Sequence, residues 1–352
     1  MSLKELAKQI VSISFNQDTT FFACVIKKGF RVFKCDQYAK HVERNFDKYR
    51  FGKVQLLYRS ELMFFVGNGT KQFSKKQVFI WDDQKSKIIA ELCFTSPVES
   101  LHVREDILLV VNQQQTQIIN LKDLEPIKDY ETYQNSKGIA SVCGDPREKV
   151  FAILGKKKNC VRIIKYNMRN QPIFENEIEN VHNHPLHVIQ LNYNGSLLAT
   201  TSDEGTRIRI FDVISKKKLF ELRRGSSPAK IFNIAFNFNS TLVAVTSSSS
   251  TMHVFQITTD NGQNTKKNSK KKKKKRSLFS SMVSPDAIES FARGRDLSKK
   301  YTICGFNKEG YLFVVTVDGT FYKFYVDLEK RKLVNKVFTE YLRHNQNFDE
   351  EI

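Results

Sequence analysis

Two adjacent arginines, in the run Leu222-Arg223-Arg224-Gly225, are the residues of this chain best suited to hold a phosphate-like anion. A guanidinium presents a rigid fork of N–H donors that matches paired phosphate oxygens, and it stays charged at physiological pH. In an extended segment successive side chains point to opposite sides, so Arg223 and Arg224 serve two pockets rather than one. Gly225 is expected to let the chain turn sharply after them. Hydroxyls flank the pair. Ser202, Thr206 and Arg209 precede it with spacing Ser-x-x-x-Thr-x-x-Arg; Ser247, Thr251 and His253 follow with spacing Ser-x-x-x-Thr-x-His. The rival explanation is plain structure: a solvated basic strand end, with Ser and Thr capping hairpins.

The elements that must carry these residues are short strands. Phe, Val, Ile, Leu and Thr cluster in runs of about five, separated by Asn, Asp, Gly and Ser turns. Leu191-Asn192-Tyr193-Asn194 and Leu197-Leu198-Ala199-Thr200-Thr201-Ser202 match Phe236-Asn237-Phe238-Asn239 and Leu242-Val243-Ala244-Val245-Thr246-Ser247 at a constant offset of 45. Ser14-Phe15-Asn16, Phe21-Phe22-Ala23 and Arg31-Val32-Phe33 echo the pattern near the start, and Phe79-Ile80-Trp81-Asp82 and Arg209-Ile210-Phe211-Asp212 are equivalent strand ends. A period of about 40–45 residues predicts an all-β, seven-bladed WD40-type β-propeller. The expected blades lie near 9–40, 53–94, 98–132, 138–178, 184–222, 230–298 and 299–335. The propeller then occupies 1–340, and 341–352 form a C-terminal tail.

Composition narrows the function. Lys and Arg number 57 against 37 Asp and Glu, a net charge of +20 that points to an anionic partner. Nine of the cations lie in Lys266–Arg276, and removing those nine from +20 leaves +11. Such a run repels itself, so residues 260–298 are expected to form a flexible basic loop inserted in blade six. The longest strictly apolar run, Ile107-Leu108-Leu109-Val110-Val111, is too short to span a bilayer. Met1 to Ile13 lacks an apolar signal core, which argues against secretion. The six cysteines form no C-x-x-C and read as buried reduced thiols. No nucleophile elbow, zinc signature or phosphate-cradling glycine loop appears, so catalysis, a metal and a cofactor are not expected.

The context of the arginine pair resembles the PROPPINs, seven-bladed propellers that bind polyphosphoinositides in autophagy. Leu222-Arg223-Arg224-Gly225 matches their [Phe/Leu]-Arg-Arg-Gly motif, and Ala199 through Asp212 is similar to their blade-five signature. The resemblance implies a first headgroup site of His182, Ser202, Thr206, Arg209 and Arg223. It implies a second of Arg224, Ser247, Ser249, Thr251 and His253. The second hairpin, Ser247-Ser248-Ser249-Ser250-Thr251, departs from the pattern by lacking a turn glycine. His184 and His187 are not assigned to a site.

The resemblance further implies phosphatidylinositol 3-phosphate and phosphatidylinositol 3,5-bisphosphate as ligands. The partner expected is an autophagy lipid-transfer or scaffold protein. The chain is expected to act as a cytoplasmic monomer, without nucleic acid, peripherally on preautophagosomal, endosomal or vacuolar membranes. Lys270, Lys271, Lys272, Lys273, Lys274, Lys275 and Arg276 would meet anionic lipid, each contributing about 1 kcal/mol before screening. Leu278, Phe279, Met282 and Val283 would insert. A helix beginning at Ser284-Pro285-Asp286 and ending near Gly294 competes with Ala287 to Phe291 as the outer strand of blade six. The functional alternative is a nuclear or cytoplasmic protein-interaction scaffold, with the basic loop as an import signal or nucleic-acid patch.

Overall fold

The computed structural model describes residues 3–257, 287–295 and 297–342, and apart from one short helix, Leu3–Ala7, its regular elements are strands. Apart from Ile288–Glu289, the strands follow one another as antiparallel neighbours into seven sheets, which begin and end at 10 and 45, 51 and 93, 100 and 131, 140 and 178, 186 and 223, 231 and 294, and 302 and 340. The architecture is a seven-bladed β-propeller, and each blade falls within a few residues of its expected place except at the ends of blades one, six and seven. No helix among the described residues is long and apolar enough to cross a membrane.

The sequence period has a physical origin in the turn between the first two strands of a blade. Asn16, Asn192, Asn237 and Asn307 are buried there. Each side-chain carbonyl accepts the backbone N–H of the residue at or just before the start of the next strand, at 2.8–3.0 Å, from Phe21, Leu197, Leu242 and Tyr311. A short amide that closes its own turn is a local device, so it repeats in sequence wherever the turn repeats.

Packing follows from position within the blade. The second strands Lys149–Leu154, Leu197–Ser202 and Leu242–Ser247 are buried at every residue, because blades cover both of their faces. The outer strand Lys87–Cys93 alternates exposed and half-buried positions. Seven apolar clusters fill the seven junctions between neighbouring blades. The ring closes without strand exchange: blade one is wholly N-terminal and blade seven wholly C-terminal. Aromatic packing joins them, with Phe22 4.8 Å from Phe33, 5.6 Å from Phe321 and 5.2 Å from Tyr341 between ring centres. Tyr341 and Leu342 are buried in this junction, so the folded body continues into residues the sequence assigned to the tail.

The end of the blade-six insertion departs from expectation. Residues 287–294 are not helical: Ile288–Glu289 and Ala292–Gly294 are strands. Nor does Ala287 to Phe291 form the outer strand of blade six. That place belongs to Ala292–Gly294, antiparallel to Met252–Gln256, while Ile288–Glu289 joins blade five as a fifth, parallel strand. Phe291, Ala292 and Leu297 are buried, so the last part of the expected loop, 260–298, is packed into the propeller. The two apolar runs around Ile288 and Phe291 bury against two different blades, a division no single helix or strand accommodates. The basic run Lys270 to Arg276, and Leu278, Phe279, Met282 and Val283, lie outside the described residues. Five of the six thiols are buried; Cys93 is exposed.

Candidate functional site

The two hydroxyl–arginine sets occupy neighbouring blade junctions. The first lies between blades four and five. Arg209 stands opposite Thr200 on one side and Glu221 on the other. Its Nε donates to Glu221 at 3.1 Å, and a terminal nitrogen donates to the Val181 carbonyl at 2.7 Å. His182, in the linker leaving blade four, is buried, with Nε2 3.0 Å from the Thr200 hydroxyl. Burial, helped by the Arg209 charge, pushes the His182 pKa down to about 4. Ser202 is buried at the start of the turn, and the Thr206 carbonyl accepts the Arg224 N–H at 2.9 Å.

Carboxylates balance this pocket. Glu221 also meets Arg207 at 2.6 Å and Lys218 at 3.3 Å. Burial raises its pKa, but Lys218, Arg207 and Arg209 together outweigh that and hold it below the ordinary glutamate value. Arg223, opposite Arg207 in the register, is partly exposed and forms a 3.2 Å ion pair with Glu289. The turn itself carries Asp203, 2.9 Å from His187, and Glu204, 3.5 Å from His184.

The second set lies between blades five and six. Arg224, 6% exposed, leaves blade five just past Arg223. Its Nε donates to the Gly205 carbonyl at 2.9 Å and another nitrogen donates to the Ser227 carbonyl. Among the described residues it makes no ion pair. His253 is buried, with Nδ1 3.1 Å from the Ser290 hydroxyl, which also accepts Arg293 Nε at 2.9 Å. Burial first, then the charges of Arg293 and Arg224, push the His253 pKa down to about 4. The Ser247 and Ser249 hydroxyls lie 2.9 Å apart, and the Thr251 hydroxyl reaches the Ser249 carbonyl at 3.5 Å. Ser247 is buried and Ser249 exposed.

The register explains the unequal spacings. The offset of 45 holds through the second strand, so Thr200 corresponds to Val245. Arg209 stands opposite Thr200 and His253 opposite Val245, which makes His253 the equivalent of Arg209 after a one-residue shortening of the hairpin. On the outer strand, Glu221 faces Arg209 whereas Arg293 faces His253. The absent turn glycine leaves the hairpin intact: Ser250 adopts φ +56°, close to the +63° of Gly205. Gly225, by contrast, has no left-handed φ and open space around it, so the expected turn does not depend on it.

Arg223 and Arg224 thus diverge toward two junctions, as their extended backbone requires. Sequence reasoning missed Glu221, Glu289, Ser290 and Arg293. Glu221 was legible two residues before Arg223 as a same-face neighbour. The other three become neighbours only because the chain returns from its insertion.

A family model described as PROPPIN matches residues 9–283. The chain belongs to the PROPPIN family. Relatives of this PROPPIN include autophagy-related protein 18e of Arabidopsis thaliana, 29% identical over 320 residues, with 89% of this chain and 82% of the relative covered. Autophagy-related protein 18 of Neosartorya fischeri is 30% identical over 328 residues, covering 84% of this chain and 67% of the relative. Among solved structures, Kluyveromyces lactis Hsv2 aligns with TM-score 0.74 at 18% identity, covering 94% of this PROPPIN and 99% of that chain. KlAtg21 in complex with the coiled coil of AgAtg16 aligns with TM-score 0.76 at 20% identity, with the same coverage. At these identities the two structures speak for the fold.

Proposed function

We propose that this PROPPIN is a peripheral phosphoinositide effector that binds phosphatidylinositol 3-phosphate and phosphatidylinositol 3,5-bisphosphate and recruits autophagy machinery to forming autophagosomal or endosomal membranes. The observation that carries the reading is the divergence of Arg223 and Arg224 into two junctions, each furnished with a serine, a threonine and a buried histidine. His182, Ser202, Thr206, Arg209 and Arg223 form the first headgroup site. Arg224, Ser247, Ser249, Thr251 and His253 form the second. The guanidinium forks take the ring phosphates, and the hydroxyls orient the ring.

Two shallow pockets on one rigid body make the second contact intramolecular, which turns modest single-site affinities into stable attachment. The cations of Lys270 to Arg276 add a term that weakens with salt. The work is binding, not catalysis. Autophagy-related names among the relatives, and a similar propeller solved with a coiled coil, support a protein partner from the same machinery.

Sedimentation with liposomes tests the proposal. The variant carrying Arg223→Gln and Arg224→Gln is expected to lose binding to liposomes bearing phosphatidylinositol 3-phosphate while keeping its circular dichroism spectrum. Binding by that folded variant at the wild-type level would remove the site assignment.

A further inference from the structure

The segment returning from the blade-six insertion passes between the two pockets and touches one residue of each. Ile288–Glu289 runs parallel to the outer strand of blade five, with Ile288 opposite Leu222 and Glu289 opposite Arg223. The Glu289 carboxylate lies 3.2 Å from the Arg223 guanidinium. One residue later, Ser290 Oγ meets His253 Nδ1 at 3.1 Å. The carboxylate on the arginine and the hydroxyl on the histidine occupy positions where phosphate oxygens would meet the same two side chains.

This attachment is slight. Among the described residues, two residues of parallel pairing join it to blade five, and parallel pairing is slightly weaker per residue than antiparallel. The Glu289 side chain is 57% exposed, whereas that of Glu221, the carboxylate shared by Arg207 and Arg209, is 6% exposed and fixed within blade five. An exposed pair of this kind shifts an equilibrium by about fivefold at most. A phosphate monoester brings more negative charge and more acceptor oxygens than a carboxylate, so it can displace Glu289 where it could not displace Glu221.

We propose that Glu289 is a built-in competitor for the phosphate that Arg223 receives, and that the exchange frees Ile288–Ser290 from blade five and from His253. The first pocket is then held closed in the absence of ligand, and filling it loosens the strand that also borders the second. This inference rests on the phosphoinositide reading and adds its regulation.

The test replaces Glu289 with Gln in the full chain. Affinity is measured for soluble inositol 1,3-bisphosphate, for inorganic phosphate, and for phosphatidylcholine vesicles with and without phosphatidylinositol 3-phosphate. Glu289→Gln is expected to tighten binding of the soluble headgroup and of the lipid-bearing vesicles about three- to fivefold, with an unchanged melting temperature. In an Arg223→Gln background the same substitution is expected to change nothing. Hydrogen exchange at the amides of residues 288–290 should quicken when wild-type protein binds the headgroup.

Unchanged affinity on Glu289→Gln, equal tightening without Arg223, or tightening on vesicles alone each overturns the competitor role. Tightening on inorganic phosphate that matches the headgroup would assign the exchange to free phosphate rather than lipid, and would overturn the lipid-linked regulation. Unchanged exchange at 288–290 on binding overturns the release. The phosphoinositide reading is judged separately, by the double arginine variant on vesicles: if it fails there, the premise is lost, and if it holds while Glu289→Gln is silent, only this inference falls.

Discussion

The two pockets are assembled from the same parts in exchanged order. In the first, the linker from the preceding blade supplies a histidine, His182, and the third strand an arginine, Arg209. In the second, the linker supplies Arg224 and the third strand His253. Acid is where they differ. The first has Asp203 and Glu204 in its hairpin, Glu221 on its outer strand and Glu289 against Arg223. At the equivalent hairpin positions the second has Ser248 and Ser249, and Arg293 replaces Glu221.

Among the described residues, Arg224 is held by backbone carbonyls alone, and those carry no net charge to cancel its own. The first pocket is therefore neutralised by its own carboxylates, which on the proposed reading must be exchanged for a ligand. The second keeps a partly desolvated cation that no described carboxylate compensates. For an anion, the second pocket is the preorganised one.

The sharpest test of this contrast separates the two arginines. Arg224→Gln is expected to weaken binding to vesicles bearing phosphatidylinositol 3-phosphate by at least about tenfold, and Arg223→Gln by only about threefold, since a fully paired charge-assisted contact is worth roughly 1.5–3 kcal/mol. Equal losses in a cosedimentation series would erase the distinction. Gly205 comes next. A Cβ there would lie 2.0 Å from the Ala229 carbonyl, so Gly205→Ala should cost roughly 2 kcal/mol or more in urea unfolding and pull the Arg224 anchor out of place.

The histidines give a pH signature shared by both pockets. His182 and His253 titrate near 6.5 when unfolded and at about 4 in the fold. Between those values the unfolded chain binds more protons, so stability is complete above about pH 6.5 and falls as pH drops toward 4, by roughly 1–3 kcal/mol for each ring. Thermal unfolding across pH 4–7 measures it, and His182→Asn should flatten its share of the slope. Arg293→Gln should raise the His253 pKa in an NMR titration and leave His182 unmoved. The smallest effect belongs to the hairpin. Ser250→Gly relieves a left-handed serine and is expected to raise stability by about 0.5 kcal/mol, against the large loss at Gly205.

Much of this molecule was legible because its signals are local. The asparagine that closes the first turn of four blades lies four or five residues from the N–H it accepts, so that turn is marked in sequence wherever it occurs. The alternation that sends Arg223 and Arg224 to opposite faces needs only an extended backbone. Even the Arg209–His253 equivalence was present in the unequal spacings, although the register was needed to read it. The end of the insertion was not legible. Ile288 and Phe291 look like one apolar face to any local pattern, yet they bury at different junctions.

The chain by itself determined the number of blades and the two sets of side chains proposed to bind anions, because turn chemistry and side-chain alternation act over a few residues. Which guanidinium carries a carboxylate was decided by tertiary structure. Glu289 reaches Arg223 across 66 positions, and Arg293 meets His253 across 40. Coulombic balance depends on distance in space, and no short-range pattern encodes where a returning segment comes to rest.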